Sequence, residues 1–468
     1  MYRKRSTDQM TLADFSMPFS GKLSPDNRWV KLASLIPWEE LEDEYVRQFS
    51  QSGMGSPAKQ FRMALGALII KEKLNISDEE TVEQIRENPY LQYFIGLEEY
   101  QNKAPFDPSM MTYFRKRIKL EMVLALNEKI IRDKKDDDEN INGSGIGTSE
   151  NIEVKNKGTL IVDATCTPAD IRFPTDVSLL NEAREKLEGI IDVLHEPSRG
   201  KKPRTYRKRA RKCFVSFVAK RKHSKKDIRK ALKKQLQFVA RDIRHAESLI
   251  TKGAHLEKLS RKEYKNFLVI HEVYRQQMEM FQKDCHSVEH RIVSISQPHV
   301  RPIVRGKAAA NTEFGAKLSL SLVDGFSRIE HLDWEAFNEG TLLIEHLDAY
   351  KEKYGYYPEA VEVDKIYRNR NNRAFCKEHD IQMSGPSLGR PCAGVKKEKE
   401  NVGLRNPIEG KFGEGKRRYG MARIMARLTE TSETTIGILV LVMNLEKRLR
   451  LLFDLFVHWI LFKRKWAW

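Results

Sequence analysis

Two aspartates each follow a short apolar segment that is typical of a β-strand. Residues 159–163 (Thr-Leu-Ile-Val-Asp) end at Asp163, and residues 360–364 (Ala-Val-Glu-Val-Asp) end at Asp364. An apolar run with turn residues on either side is typical of a strand that is buried on both faces. Its last residue emerges at the carboxyl edge of the sheet, where open α/β sheets bind their ligands. We therefore expect both aspartates at one sheet edge.

A third acid, Glu409, lies in the segment Arg-Asn-Pro-Ile-Glu-Gly-Lys at residues 405–411. The Pro near its start predicts a helix that begins just before Glu409, from which a glutamate can reach toward strand-end aspartates. Several carboxylates are what two-metal phosphoryl transfer requires, because two divalent cations about 3.5 to 4 Å apart must be held. Oxygen ligands favour Mg²⁺ or Mn²⁺. We interpret Asp163, Asp364 and Glu409 as one metal site that acts on nucleic acid.

Each acid also has a plainer interpretation. A strand-end aspartate is commonly a turn or cap residue, and Glu409 could close a capping box with Asn406 as the cap and Pro407 as the first helical residue. Residues 410–417 also come close to a phosphate-binding loop, but Arg417 stands where that motif needs Ser or Thr.

What favours a phosphate-contacting site at Glu409 is the composition around it. Glycines at 410, 413 and 415 permit close backbone approach to a ligand. The neighbouring cations are Arg405, Lys411, Lys416, Arg417 and Arg418. Cations beside a metal-binding acid are suited to contact a phosphate.

The composition supports a polyanionic partner. Lys plus Arg number 83 against 65 Asp plus Glu, a formal charge of +18, so nucleic acid is the first candidate and an anionic membrane surface the second. The five cysteines include no CxxC pair, which argues against a disulfide framework or a zinc ribbon and fits a reducing cytoplasm. Charged residues interrupt the apolar stretch at 436–462, so residues 431–468 are predicted to be a packing helix rather than a membrane span, which needs roughly 20 consecutive apolar residues.

Residues 1–133 have the pattern of short helices separated by prolines, and residues 134–158 that of a flexible polar linker. The predicted helix that starts after Asp107 ends in Arg115, Lys116 and Arg117. Such a domain is either a small DNA-binding module or a helical domain with ordinary solvated charges, and the pattern leaves both open.

Residues 181–300 are predicted to be a basic helical insertion. Apolar residues at helical spacing predict two long amphipathic helices, which we expect to form an antiparallel pair. A dense basic block precedes them, and it contains Arg207, Lys208, Arg209, Arg211 and Lys212. This block can neutralise phosphates, with Tyr206 and Phe214 available for stacking, although a charge run is more often a solvated face.

Strand signals return after the insertion. Residues 316–323 alternate apolar and polar side chains, and Asp324-Gly325 predicts a hairpin turn into residues 327–334. A helix at 340–354, the strand before Asp364, a helix at 371–379 and a strand near Ile381 follow. Residues 159–180 and 301–430 therefore form one α/β domain with the order strand, strand, strand, helix, strand, helix.

These residues carry a family resemblance. Arg405, Glu409 after three residues, Lys416 after six more, and then Tyr419-Gly420 resemble the motif of bacterial insertion-sequence transposases of the DDE type. Residues 106–115 are similar to the InsH-type N-terminal domain that precedes such cores. The resemblance implies an α/β fold with an RNase H-like mixed sheet flanked by helices, interrupted by the helical insertion, and with the helical N-terminal domain. Many relatives have Gly where this chain has Ile366.

The resemblance also implies an activity. Asp163, Asp364 and Glu409 would hold two Mg²⁺ or Mn²⁺ ions, and Arg405 and Lys416 would contact DNA beside Lys411, Arg417, Arg418 and Tyr419. The enzyme would bind the terminal inverted repeats of its element, cleave DNA by hydrolysis and join the 3′-hydroxyl to target DNA, as a homo-oligomer in the bacterial cytoplasm and without a membrane partner. The alternatives are a DNA-binding regulator or domesticated transposase without catalysis, and an RNase H-like nuclease without strand transfer.

Overall fold

The structure is a computed structural model that describes residues 14–18, 21–49, 57–142, 156–304, 312–384 and 405–465. The chain divides into two compact units. The first comprises Met1–Pro168, Lys317–Asp333 and Phe337–Trp468, and the second comprises Ala169–Ala316 and Trp334–Ala336.

The first unit begins with helices, as the Pro-punctuated pattern predicts. They are α1 Arg28–Ser34, α2 Glu42–Val46, α3 Phe61–Leu74, α4 Asp78–Glu87, α5 Pro89–Phe94, α6 Met110–Arg117 and α7 Leu120–Asn142. The Ser77 side chain accepts a hydrogen bond from the Glu80 backbone N–H and so caps α4. Helix α3 is buried along most of its length, which makes it the centre of this helical region.

The predicted linker is partly wrong, because α7 continues to Asn142. The first nine residues of the predicted linker, 134–142, are therefore helical, although their composition is that of a polar linker. Once a helix has nucleated, each further residue adds one hydrogen bond at little cost, so a long helix extends into a charged segment. Residues 143–155 of the predicted linker lie outside the described residues.

A six-stranded sheet follows the helices. Its strands are β1 Thr159–Pro168, β2 Arg301–Val304, β3 Thr312–Val323, β4 Phe326–Asp333, β5 Ala360–Glu362 and β6 Gln382–Ser384. The order is β4-β3-β1-β5-β6, with β2 also pairing with β3. The β3–β4 pair is antiparallel, and β1–β5 and β5–β6 are parallel. This is the RNase H-like mixed sheet that the resemblance implies.

The predicted hairpin between β3 and β4 is confirmed. Asp324 and Gly325 both adopt positive φ, 53° and 79°, which is the conformation that a two-residue hairpin turn requires. Helices α12 Leu343–Tyr354 and α13 Arg370–Glu378 flank the sheet, close to the predicted ranges. Leu160, Val162, Leu347 and Val361 lie in the core beneath them.

The last two helices of the first unit are α14 Asn406–Arg418 and α15 Thr429–Lys465. Helix α15 is the predicted packing helix, and residues 466–468 lie outside the described part. Its Asn444 side chain donates to the Asn127 side chain and to the Ser327 carbonyl, each at 2.7 Å. These buried hydrogen bonds join α7, β4 and α15. No helix among the described residues combines the length and apolar character that a bilayer crossing requires.

The charges that interrupt the apolar stretch of α15 are used within the fold. Arg450 pairs with Glu414 of α14 at 2.7 Å. Glu446 pairs with Lys73 of α3, and the side chains of both are less than a tenth exposed. Buried charges are tolerated when they are paired, so these residues attach α15 to its neighbours.

The second unit contains the insertion. Its helices are α8 Asp176–Leu194, α9 Arg207–Val218, α10 Lys225–Thr251 and α11 Arg261–Lys283. The two long predicted helices are confirmed as α10 and α11, but α8 also packs against both, with Leu187, Val239 and Ile270 in the shared core. Strand β2 pairs with the first residues of β3. Cys166, Cys213, Cys285 and Cys376 are free thiols, and Cys392 lies outside the described residues.

Candidate active site

The sheet register places the two aspartates level with one another. Strand β1 does not end at Asp163, as the sequence predicts, but continues to Pro168. Its parallel pairing with β5 ends where Ile161 faces Glu362. Asp163 and Asp364 each follow that last pair by two residues. Strand β1 is longer than predicted because the segment after Asp163 is also buried and β-forming. The two aspartates are level because the β1–β5 pairing ends at the end of β5.

Asp364 is held by a tight turn. It caps the 3-10 helix Lys365–Tyr367, and its carboxylate accepts the Lys365 backbone N–H at 2.7 Å. Asp163 accepts the N–H of Ala164 at 2.9 Å. Each carboxylate is thus held by the backbone N–H of the residue that follows it, and both lie against the Arg405 side chain.

Two residues that the sequence reasoning missed shape this turn. A Cβ on Gly340 would lie 2.4 Å from the Ile366 carbonyl oxygen, so only glycine permits that approach. The Asn372 side chain donates to the carbonyls of Gly340 and Tyr367, each at 2.7 Å. Ile366 itself lies in the 3-10 helix with its side chain half exposed. The close approach is therefore accommodated at Gly340, which no local pattern marks.

Glu409 lies in the first turn of α14. The capping-box interpretation is wrong, because α14 begins at Asn406 and its cap, Arg405, makes no side-chain cap hydrogen bond. The phosphate-loop interpretation is also wrong, because Gly410, Gly413 and Gly415 are helical. Ile408 and Phe412 are buried and anchor the helix, while the Glu409 side chain is 61% exposed.

Arg405 connects the three acids. One guanidinium nitrogen lies 3.0 Å from Asp163 Oδ2 and 3.5 Å from Glu409 Oε1, and the other lies 3.1 Å from Asp364 Oδ1. The carboxylates of three distant segments therefore surround a single cation. The Arg405 side chain is only 19% exposed, which strengthens these charge-assisted contacts.

The ionisation of this cluster is set by burial and by the ion pairs. Burial raises the pKa of Asp163 above its ordinary value, although Arg405 and the Ala164 N–H favour the charged form. Burial acts to lower the pKa of Arg405, but the three acids outweigh it and the pKa is raised. Perturbed titratable groups in one cluster are a common property of catalytic sites.

The donor set fits a divalent metal in its chemistry. Three carboxylates supply the hard oxygen ligands that Mg²⁺ and Mn²⁺ prefer, and they already gather around one cation. Among the described residues, no group of three Asp, Glu, His or Cys side chains is arranged to hold a metal ion. The Arg405 guanidinium lies between the three acids.

Several predicted DNA contacts on α14 have structural partners instead. Tyr419 is fully buried, so it packs in the core and is inaccessible in this conformation. Lys411 pairs with Glu414 at 3.3 Å and is largely buried, which lowers its pKa. Arg417 and Arg418 are more than a third exposed, and Lys416 is partly exposed. Sequence spacing carries no information on burial, which is why it could not separate these residues.

Among the predicted DNA contacts of α6 and the insertion, some cations are also paired within the fold and others are exposed. In α6, Arg115 pairs with Asp78 and only 11% of its side chain is exposed, while the Arg117 guanidinium lies over the Phe49 ring. Lys116 is exposed beside Tyr113. In the insertion, Arg207 makes a bidentate pair with Asp192 at 2.7 and 2.9 Å. Arg115 and Arg207 are therefore structural residues in this conformation.

An RNase H-like sheet with two level aspartates, and a glutamate on a later helix, defines the class of DDE nucleic-acid enzymes. Comparison with known proteins also finds similarity to transposases. A family model described as "Transposase DDE domain" matches residues 361–446, which include Asp364, Arg405 and Glu409. A second, described as "Transposase domain (DUF772)", matches residues 18–117.

A curated relative is the "Uncharacterized protein ORF8 in nfe locus" of Rhizobium meliloti, which is 33% identical over 187 residues. The match covers 82% of that protein and 37% of this chain. No solved structure matches. The chain belongs to the insertion-sequence transposases of the DDE type.

Proposed function

We propose that the protein cleaves DNA at the ends of its insertion sequence and joins the freed 3′-hydroxyl to target DNA, with Asp163, Asp364 and Glu409 as the catalytic acids. The observation that carries this proposal is the gathering of all three carboxylates around the Arg405 guanidinium. The shared cation brings carboxylates from a strand, a turn and a helix to one place, which is what a metal site built from three distant segments requires.

In this proposal the three acids would hold two Mg²⁺ or Mn²⁺ ions. Such ions, when bound, supply a nucleophile at neutral pH and stabilise charge on the phosphoryl oxygens. Arg405 holds the acids together in the free protein by neutralising part of their mutual repulsion. Because the guanidinium fork matches the geometry of both carboxylate and phosphate, Arg405 can turn from the acids to a DNA phosphate.

The remaining DNA contacts near this site would come from α14. Arg417 and Arg418 are exposed on the same helix as Glu409, and Lys416 lies beside them. The partners would be double-stranded terminal inverted repeats and target DNA in the bacterial cytoplasm. Since two ends must be held together for transposition, we propose a homo-oligomer on DNA.

The test is cleavage of a duplex that carries the inverted repeats flanking the gene, in Mg²⁺. Asp163→Asn, Asp364→Asn and Glu409→Gln should each abolish cleavage while binding to the same duplex is retained. Glu352→Gln, an exposed acid on α12, is the matched control and should cleave like the wild type.

Cleavage retained in any one of the three variants would remove that residue from the site. A second assay supplies pre-cut ends with a free 3′-hydroxyl and a target plasmid. Joined products support the transposase, whereas cleavage without joining would leave a nuclease. Binding without cleavage by the wild-type protein would leave a DNA-binding regulator.

A further inference from the structure

The positive charge of the protein is concentrated in one short segment. Residues 201–234 contain seventeen Lys or Arg and a single acid, a net charge of +16. The whole chain carries +18, so the other 434 residues together contribute only +2. Residues 1–133, in contrast, contain 19 basic and 20 acidic residues. The field that attracts a polyanion therefore originates in the insertion.

The structure displays these charges on α9, on the start of α10 and on the segment between the two helices. All seventeen are exposed, and we name as the basic surface the twelve between residues 208 and 234 that form no ion pair with a carboxylate of the described residues. Its members are Lys208, Arg209, Arg211, Lys212, Lys220, Arg221, Lys222, Lys225, Lys226, Lys230, Lys233 and Lys234. Three other cations of residues 201–234 do form ion pairs: Lys202 and Arg207 pair with Asp192, and Arg229 pairs with Asp284.

Helix α9 is fixed firmly enough to present this surface. Ala210 is its one buried residue within the described part, and Arg207 anchors its first turn to Asp192 of α8. The Arg241 guanidinium of α10 packs over the Tyr206 ring and donates to the Thr205 carbonyl. The exposed basic side chains of α9 therefore stand on a helix that other residues attach to the rest of the unit.

Many like charges on one surface repel each other, and this arrangement destabilises the unit unless a ligand neutralises it. The repeating phosphates of a nucleic acid match a one-signed surface that continues from one helix to the next. We propose that the basic surface binds the DNA backbone without regard to sequence, as a site separate from the three acids. This inference rests on DNA being the partner of the proposed function.

An anionic membrane is the rival partner, because Val215 and Val218 are exposed beside the cations. A membrane-binding helix needs a broad apolar face. Phe217 instead stacks on His223 within the unit, at 4.0 Å between ring centroids, which leaves a small apolar area. The charge, spread over two helices, favours DNA.

The test measures binding of the full chain to a duplex of unrelated sequence, by fluorescence anisotropy at several salt concentrations in EDTA. EDTA removes divalent metal ions, so the measured binding does not depend on metal held by the three acids. A failure to detect binding by the basic surface would therefore leave the proposed catalytic site untested and intact. One variant combines Lys208→Gln, Arg209→Gln, Arg211→Gln and Lys212→Gln. The control combines Arg261→Gln, Lys262→Gln, Lys265→Gln and Lys283→Gln on α11, which removes the same net charge from the same unit.

The basic-surface variant should bind at least roughly tenfold more weakly, and its dependence on salt should become shallower by about 0.9 in logarithmic slope for each phosphate that the variant no longer neutralises. The control should stay close to the wild type. Equal weakening in both variants would show that only net charge matters and would overturn the proposal. So would unchanged DNA binding together with loss of binding to vesicles of anionic phospholipid. Both variants replace exposed residues, and circular dichroism checks that they fold.

Discussion

The acid cluster and the basic surface treat charge in opposite ways. In the first unit, Asp163, Asp364 and Glu409 share Arg405, so a cation of the chain itself occupies the space between them. In the second unit, twelve exposed cations form no ion pair with a carboxylate among the described residues. The charges of the acid cluster are neutralised by Arg405 until a ligand displaces it. The charges of the basic surface are neutralised only when a ligand binds. In the proposed function, the acid cluster is therefore a site that a ligand must open, and the basic surface is ready to bind.

Removing the internal partner from the acid cluster should have the largest effect. Arg405→Gln is expected to lower cleavage of end DNA by roughly a hundredfold, because a charge-assisted donor to the acids or to phosphate is removed. The measurement is the single-turnover cleavage rate. Arg370→Gln, an exposed arginine of α13, is the control, and an equal decrease there would show that general charge rather than this cluster is responsible.

The support of the acid cluster can be tested at Gly340. Gly340→Ala should destabilise the protein by about 1 to 3 kcal/mol and slow cleavage about tenfold, because the new methyl group meets the Ile366 carbonyl and displaces the turn of Asp364. Denaturant unfolding and cleavage rates measure the two effects. Gly355→Ala is a poor control because of its positive φ, so Gly189→Ala, where the added carbon meets nothing, is preferable. Unchanged cleavage in Gly340→Ala would remove the turn from the account.

The basic surface can be given an internal acid. Lys212→Glu places a carboxylate among the cations and should weaken binding to unrelated DNA about fivefold at moderate salt, by repelling phosphate and pairing with neighbouring cations. Lys262→Glu on α11 makes the same change of charge elsewhere in the unit. If both variants bind equally well, the contrast between the two regions is not one of local charge.

The smallest expected effect concerns the burial of Asp163. Its folded-state pKa is raised above the ordinary value by desolvation, so the charged form opposes folding. Asp163→Asn should therefore be slightly more stable than the wild type at pH 7. As the pH falls through the raised pKa, the wild-type folded state takes up a proton before the unfolded state does, and the difference should shrink. Denaturant unfolding from pH 7 to pH 4 measures it, and a difference that does not depend on pH would contradict this explanation.

Much of the fold could be predicted because its signals are local. The alternation at residues 316–323, the Asp324-Gly325 turn and the helical spacing of α10 and α11 each depend on neighbouring residues, and each element forms. The extension of α7 to Asn142 could not be predicted, because it depends on cooperativity rather than composition.

The site was predictable only in its residue types. Strand patterns mark Asp163 and Asp364, but their level positions depend on the register between β1 and β5, which no local pattern encodes. The position of Arg405 between the acids, the need for glycine at 340 and the burial of Tyr419 all arise from interactions between distant segments. For the same reason the sequence could not separate exposed cations from those that hold the fold together.

The central claim is that three carboxylates form a single cation site that Arg405 fills in the free protein. The most direct test is Mn²⁺ binding to the DNA-free full chain, followed by the electron paramagnetic resonance signal of free Mn²⁺. Arg405→Gln should bind Mn²⁺ about tenfold more tightly than the wild type, a change of about 1.4 kcal/mol, because a competing positive charge is removed. Adding Asp163→Asn or Asp364→Asn should abolish that gain. Equal Mn²⁺ affinity in the wild type and Arg405→Gln, or a gain that survives replacement of either aspartate, would contradict the claim.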